Sequence, residues 1–123
     1  MKDKKVLIID DEADIRFLLK RALSSLNYSV AEAGNLKDGI DVFTKINPDI
    51  VILDVNLPDG SGLYYARKFK NDSNIVIFMS ADNDKLVTDF KELGASGFLK
   101  KPFLVNQLLD TIKQIQLNTS TIN

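Results

Sequence analysis

Three short segments of this chain are continuously apolar, and they restrict its fold more than any other feature. They comprise residues 6–9, 50–53 and 75–79, and each is rich in β-branched side chains. A strand with one face in water alternates apolar and polar residues, whereas an uninterrupted apolar strand has both faces covered. We therefore expect the three segments to be interior strands of a parallel sheet with helices on both faces.

Two further segments have the mixed composition of edge strands. Residues 29–33 carry a glutamate among small side chains, and residues 96–100 begin with Ser-Gly and end with a lysine. Charged side chains are common on strands at sheet edges. These segments are predicted to be the second and fifth strands of the sheet.

Helical patterns occupy the intervals after the five predicted strands. Their apolar residues recur at the i, i+3, i+4 spacing of one buried helix face. The stripes are Ile15, Leu18, Leu19, Ala22, Leu23 and Leu26; Leu36, Ile40, Phe43 and Ile46; Leu63, Ala66 and Phe69; Leu86, Phe90 and Leu93; and Leu104, Leu108, Ile112 and Ile115. Asn35 should cap the second helix, the third should cover residues 61–70, and Gly94 should end the fourth.

The alternation of strands and helices predicts an α/β fold, a single doubly wound (βα)5 domain with right-handed crossovers. With the first, third and fourth strands inside and the second and fifth at the edges, the five-stranded parallel sheet has the order 2-1-3-4-5. The length of 123 residues suits one domain. We assign residues 1–117 to it and interpret residues 118–123 as a polar tail or the start of a linker.

The composition excludes several kinds of chemistry. The chain has no Cys and no His, which removes disulfides, thiolate zinc sites and the commonest general base. Any metal must therefore bind to oxygen ligands. With a net charge of -1, we expect no direct nucleic-acid binding and no membrane binding. We find no signal peptide and no apolar run near the roughly 20 residues that span a bilayer, so the predicted location is the cytoplasm.

Polar side chains follow four of the five predicted strands. They are Asp10, Asp11 and Glu12 after the first strand, Asp54 after the third, Ser80 after the fourth and Lys101 after the fifth. Sites in open α/β sheets form at the carboxyl ends of the strands, near the point where the strand order reverses. We therefore expect these side chains to converge on one rim of the sheet.

The residue types at this rim indicate phosphoryl chemistry. Carboxylates held close together raise one another's pKa unless a cation lies among them. Oxygen ligands without His or Cys select a hard cation, with Mg²⁺ as the first choice. A lysine is not a ligand for such an ion, but its charge suits phosphoryl oxygens. The rim is thus predicted to hold a phosphoryl group, with Asp54 as a nucleophile.

Four motifs, in order along the chain, carry a family resemblance. They are VLIIDDE near the start, ILDVNLPDGSG in the middle, MSA after the fourth strand and GASGFLKKPF before the fifth helix. Together they resemble the response-regulator receiver domain, the CheY-like phospho-acceptor module of two-component signalling, which has a flavodoxin-like fold. The resemblance covers residues 4–115, which is nearly the whole chain.

The resemblance implies a role for each residue of the rim. Asp54 matches the residue that accepts a phosphoryl group from a histidine kinase, with Mg²⁺ as the cofactor. Asp10 and Asp11 match the acidic pair that, with Asp54, organises the metal, and Asp11 matches the direct ligand. Asn56 matches the position whose backbone carbonyl binds the metal. Lys101, directly before Pro102, matches the lysine that is characteristic of the family.

The resemblance also implies a switch and a set of partners. Ser80 matches the residue whose hydroxyl moves to the phosphoryl group, Phe98 matches the aromatic switch position, and the Lys101–Pro102 peptide is expected to be cis. The implied partners are a sensor histidine kinase or phosphotransfer protein, and an output domain or partner protein at the fourth helix, fifth strand and fifth helix. A homodimer is left open. Such a protein is a signalling receiver that catalyses its own phosphorylation and dephosphorylation.

Other interpretations exist for single residues and for the whole chain. They are helix capping for Asp10, Asp11 and Ser80, a turn acid at Asp54, a solvated Lys101 and core packing for Phe98. A Mg²⁺-dependent phosphohydrolase also uses an Asp nucleophile, but it commonly needs a second acid two residues later, where this chain has Asn56. A third alternative is a receiver cut from a longer regulator.

Overall fold

The structure, a computed structural model, describes residues 4–81 and 90–121, with residues 118–121 described by their backbone alone. Within this part of the chain, five strands form one parallel sheet. They are β1 (Lys5–Ile9), β2 (Ser29–Ala33), β3 (Ile50–Asp54), β4 (Ile75–Ser80) and β5 (Gly97–Lys100). Their order is β2-β1-β3-β4-β5, which confirms the predicted fold class and strand order.

Helices cover both faces of the sheet. α1 (Ala13–Ser24) and a C-terminal helix (Val105–Thr121) pack on one face, and α2 (Leu36–Ile46) and α3 (Gly62–Tyr65) pack on the other. Alternate residues of each interior strand enter the two cores, as strand geometry requires. The C-terminal helix includes the backbone of residues 118–121. None of the helices within the described ranges has the length and apolar character needed to cross a membrane.

Three leucines of the predicted helix stripes, Leu18, Leu26 and Leu104, are exposed. The fully buried positions of α1 are Leu19 and Leu23, so its contact face is narrower than its apolar stripe. Leu26 follows the end of α1, and Leu104 precedes the C-terminal helix. The spacing of apolar residues does not show how wide the contact face of a helix is or where the helix ends, because both depend on the neighbouring elements.

The third predicted helix is shorter than expected. Only Gly62–Tyr65 is α-helical, and Ala66–Phe69 continues it as a 3₁₀ turn that ends at the extended residue Lys70. A 3₁₀ helix has three residues per turn, so Ala66 and Phe69 point in the same direction. Both side chains are buried, and their shared core contact accounts for the tighter winding.

The fourth predicted helix falls largely on residues 82–89, which lie outside the described residues. Residues 90–93 form turns. Gly94 has a φ of 95°, the left-handed conformation expected of a glycine that follows a helix. The structure therefore describes the end of this segment but not the predicted helix itself.

Two side chains cap the N-terminus of α2. Asn35 accepts a hydrogen bond from the Asp38 N–H at 2.8 Å, which confirms the predicted N-cap. Asp59, from the loop after β3, accepts from the backbone N–H groups of Leu36 at 2.8 Å and Lys37 at 3.0 Å. These two donors hold the pKa of Asp59 below its usual range. The loop that follows β3 is thereby tied to α2.

Replacing Asp59 by Asn should lower the thermal midpoint of unfolding at neutral pH and reduce its pH dependence. A carboxylate whose pKa is depressed on folding stabilises the fold above its unfolded pKa and loses that contribution as the pH falls through the folded value. The midpoints of wild type and Asp59→Asn should therefore converge below about pH 4. Circular dichroism melts across this range measure the difference, and a gap that stays constant with pH would contradict the assignment.

A short hairpin follows β3. Its strands, Asn56–Leu57 and Gly60–Ser61, pair antiparallel, and the Gly62 N–H donates to the Val55 carbonyl at 2.8 Å. A Cβ atom at Gly62 would lie 3.0 Å from Val55 Cα and closer still to the carbonyl oxygen of Asp54. Gly62 therefore allows α3 to begin directly against the backbone of Asp54.

Gly62→Ala should lower the free energy of unfolding by about 1–3 kcal/mol, because the added methyl group meets backbone atoms that cannot rotate away. Gly39→Ala is the matched control. The three heavy atoms nearest to its Cβ would belong to the Ile9 side chain rather than to backbone, and alanine favours a helix interior over glycine by about 1 kcal/mol. Urea denaturation of both variants checks the difference. A Gly62→Ala protein as stable as wild type would show that the contact is relieved elsewhere.

Candidate functional site

Two buried carboxylates and a lysine meet at the carboxyl ends of the central strands. Asp10 directly follows β1, and Asp54 is the last residue of β3; these two strands are neighbours in the sheet. Asp10 is fully buried, and Asp54 is 4% exposed. Lys101 directly follows β5 and reaches both carboxylates with a side chain that is 12% exposed. The structure thus brings together three residues that lie far apart in the sequence.

The Lys101 ammonium bridges the two buried carboxylates. Its Nζ donates to Asp10 Oδ2 at 2.8 Å and to Asp54 Oδ2 at 3.2 Å, and it lies 3.6 Å from Glu12 Oε1. Two carboxylates buried side by side repel each other, and a cation between them stabilises their charged forms. Lys101 therefore offsets part of the negative charge of this rim.

Burial and charge shift the pKa values of the bridged residues. Burial raises the pKa of Asp54, and repulsion by Asp10 adds to the rise; the Asn56 N–H and the Lys101 ammonium oppose it. Burial alone would lower the pKa of Lys101, but its hydrogen bonds and attraction to Asp10 and Asp54 outweigh that effect and raise it. Lys101 is therefore charged at neutral pH, and Asp54 is more easily protonated than an exposed Asp.

Asp11 and Glu12 extend the acidic cluster to the surface. Carboxylate oxygens of Asp10, Asp11 and Glu12 lie within 4.8 Å of one another. The Glu12 N–H donates to Asp10 Oδ1 at 2.8 Å, and the Asn56 N–H donates to Asp54 Oδ1 at 3.1 Å. Each buried carboxylate is thus held by a backbone N–H two residues further on and by Lys101. The N-cap position of α1 is Glu12, whose side chain makes no capping bond.

The remaining predicted site residues lie on β4 and β5. Ser80 is fully buried at the end of β4, and its carbonyl accepts from the Lys101 N–H at 2.8 Å. Phe98 is half-buried and stacks on Phe90, with ring centroids 6.4 Å apart and planes inclined at 29°. The Lys101–Pro102 peptide bond is cis. The bridging lysine is therefore tied to Ser80 through the backbone, and Phe98 packs against the segment before β5.

One contact at this rim could not be predicted from the local sequence. Arg16 of α1 donates through Nη1 to the backbone carbonyl of Asp10 at 2.7 Å and through Nε to Glu32 at 3.0 Å. Glu32 lies on β2, opposite Ile8 of β1. The register between the two strands brings Glu32 near Arg16. The sequence patterns that predict helices and strands do not specify that register.

The fold and the site define a doubly wound α/β domain with an acidic rim and a buried lysine. A family model described as "Response regulator receiver domain" matches residues 6–113. The chain therefore belongs to the response-regulator receiver domains, the phospho-accepting signalling modules of two-component systems. This match supports the receiver interpretation and not the phosphohydrolase alternative.

Individual relatives agree with this assignment. Sporulation initiation phosphotransferase F of Bacillus subtilis is 35% identical over 117 residues, which cover 93% of this chain and 94% of that protein. Response regulator protein GraR of Staphylococcus aureus is 34% identical over 113 residues, which cover 90% of this chain but 50% of GraR. The structure of chemotaxis response regulator CheY4 of Vibrio cholerae superposes with a TM-score of 0.83 at 26% identity, covering 93% of this chain and 99% of CheY4.

Proposed function

We propose that Asp54 accepts a phosphoryl group from a phosphohistidine on a sensor histidine kinase or phosphotransfer protein. A carboxylate oxygen of Asp54 attacks phosphorus, the P–N bond breaks, and its electron pair stays on the imidazole nitrogen, which takes up a proton. The product is an acyl phosphate on Asp54. The phosphohistidine must come from the partner, because this chain has no His.

The observation that carries the proposal is the Lys101 ammonium, held between the carboxylates of Asp10 and Asp54. A fixed positive charge beside the attacking oxygen can neutralise charge on a transferring phosphoryl group. Asp54 suits the role of nucleophile better than Asp10. Asp10 is fully buried and has the shorter bond to Lys101, whereas Asp54 retains some exposure.

The donor atoms at the rim fit a magnesium ion. Asp10, Asp11 and Asp54 supply carboxylate oxygens, and Asn56 would add its backbone carbonyl; Mg²⁺ prefers such ligands. The close approach of the Asp10 and Asp11 carboxylates, and the raised pKa of Asp54, both indicate a place where a cation would be stabilising. When bound, the ion supplies charge neutralisation at the phosphoryl oxygens.

We further propose that the phosphoryl group acts on a switch formed by Ser80 and Phe98. Ser80 ends the strand next to β3, so its hydroxyl can turn towards a group on Asp54. The stack of Phe98 on Phe90 supports a link between β5 and the preceding segment. The output partner would bind the fourth predicted helix, β5 and the C-terminal helix. A homodimer and a cytoplasmic location stay predictions.

The proposed self-catalysed phosphorylation can be tested with acetyl phosphate, which needs no kinase. With Mg²⁺, intact-mass spectrometry should show one phosphate added per chain, and chelation by EDTA should prevent it. The phosphate should then be lost slowly as the acyl phosphate hydrolyses. Many turnovers of p-nitrophenyl phosphate without a phosphorylated protein would instead indicate a hydrolase and contradict the proposal.

A further inference from the structure

Arg16 joins the edge strand β2 to the backbone of the acidic rim. Its guanidinium donates to Glu32 Oε1 at 3.0 Å and to the Asp10 carbonyl at 2.7 Å. The Arg16 side chain is 22% exposed, so these bonds lie largely out of water. A planar guanidinium with two acceptors at fixed positions has little freedom to rotate.

The Asp10 carbonyl belongs to the peptide that leads into Asp11. Because a peptide unit is planar, the direction of this carbonyl also fixes the N–H of Asp11 and the line along which its Cα leaves. Asp10 is otherwise held by three bonds: its N–H donates to Ala33, and its carboxylate accepts from Glu12 and Lys101. Arg16 supplies the constraint on the side of the peptide that faces Asp11.

Glu32 offsets only part of the charge of Arg16, and a nearby cation would repel Mg²⁺ rather than attract it, so the support that Arg16 gives the rim is geometric. Glu32 pairs with Arg16 and, at 3.4 Å, with Lys20. Lys20 is half-exposed and forms an ion pair with the other carboxylate oxygen of Glu32, but it makes no hydrogen bond to Asp10 among the described contacts. Lys20 is therefore a matched control for Arg16: both are cations paired with Glu32, but only Arg16 contacts the rim.

We propose that Arg16 is a positioning residue for the magnesium site: it holds the Asp10–Asp11 peptide so that the Asp11 carboxylate faces the ion. This inference rests on the proposed function. Residues that orient metal ligands through hydrogen bonds typically contribute 10- to 100-fold to metal affinity. Arg16→Met should therefore weaken Mg²⁺ binding by about tenfold or more. Arg16→Lys keeps the charge but loses the planar pair of N–H donors, so its Mg²⁺ affinity should lie between those of wild type and Arg16→Met.

The test is an NMR titration of the full chain with MgCl₂, following backbone amide signals. In EDTA, the Asp11 amide signal should move in Arg16→Met and stay in place in Lys20→Met. The Mg²⁺ dissociation constant should rise about tenfold in Arg16→Met and change less than about twofold in Lys20→Met, whose exposed ion pair contributes little. Melting curves confirm that each variant is folded at the temperature of the titration.

The outcomes separate this inference from the proposed function. If wild type shows no saturable response to Mg²⁺, the magnesium site and the role of Arg16 are both overturned. If wild type binds Mg²⁺ and Arg16→Met binds it equally well, only the role of Arg16 is overturned. Should Arg16→Met fail to fold, Glu32→Gln gives the decision, because it releases the guanidinium from β2 and should weaken Mg²⁺ binding in the same direction.

Discussion

Asp54→Asn should abolish phosphorylation by acetyl phosphate and Mg²⁺. An amide is a far weaker nucleophile than a carboxylate and cannot form an acyl phosphate, so the loss should exceed about 10³-fold, the order seen when a nucleophile is removed. The variant keeps the shape of the side chain and an oxygen that can accept from the Asn56 N–H. The fold should therefore persist, and intact-mass spectrometry measures the missing phosphate directly.

The control for this variant is Asp41→Asn, which makes the same chemical change at an exposed position on α2. It should be phosphorylated at the wild-type rate. Circular dichroism of both variants would show that neither loses its helices. A phosphate that still appears on Asp54→Asn would mean that another carboxylate of the rim, Asp10 or Asp11, is the acceptor.

Lys101→Met should slow phosphorylation by about 10²- to 10³-fold, the usual loss when one preorganised charge at a reacting group is removed. Methionine keeps much of the length of the side chain but not the ammonium that bonds to Asp10 and Asp54. Because both interactions with Lys101 lower the pKa of Asp54, their removal should raise it further. The rate should therefore fall at a higher pH than in wild type as the solution is made more acidic.

Lys100→Met is the matched control for the lysine. Lys100 is the preceding residue, carries the same charge and is exposed. Its removal should change the rate by less than about twofold, because a solvated charge is strongly screened. Equal losses in the two variants would show that the general charge of this region matters, rather than the position of the Lys101 ammonium. Rates are best measured as pH profiles with acetyl phosphate.

The strands and the rim could be predicted because both depend on short-range patterns. The segment from Ile50 to Leu53 is apolar without interruption, as expected of an interior strand. In the structure every residue of β3 is buried. Ligands bind at the carboxyl ends of parallel strands, so one segment of sequence is enough to predict that Asp54 lies at the site. The same reasoning predicts Asp10 and Lys101 at the ends of their strands.

Contacts between distant segments could not be predicted in this way. The cap that Asp59 provides for Leu36, and the bond from Arg16 to Glu32, depend on how loops and strands align in space. A helix stripe likewise does not reveal which of its members meets a neighbour, and Leu18 proved to be exposed for this reason. These contacts join segments that are distant in the sequence, and the motifs that identify the family do not specify them.

The most direct test of the central claim is to locate the phosphoryl group. Borohydride reduces an acyl phosphate to an alcohol, so it would convert a phosphorylated Asp54 to homoserine, which peptide mass spectrometry can place in the sequence. After treatment with acetyl phosphate and Mg²⁺, we expect homoserine at position 54 and unchanged aspartate at Asp10 and Asp11. Homoserine at either of those positions, or none in a protein that carries phosphate, would contradict the assignment of Asp54 as the acceptor.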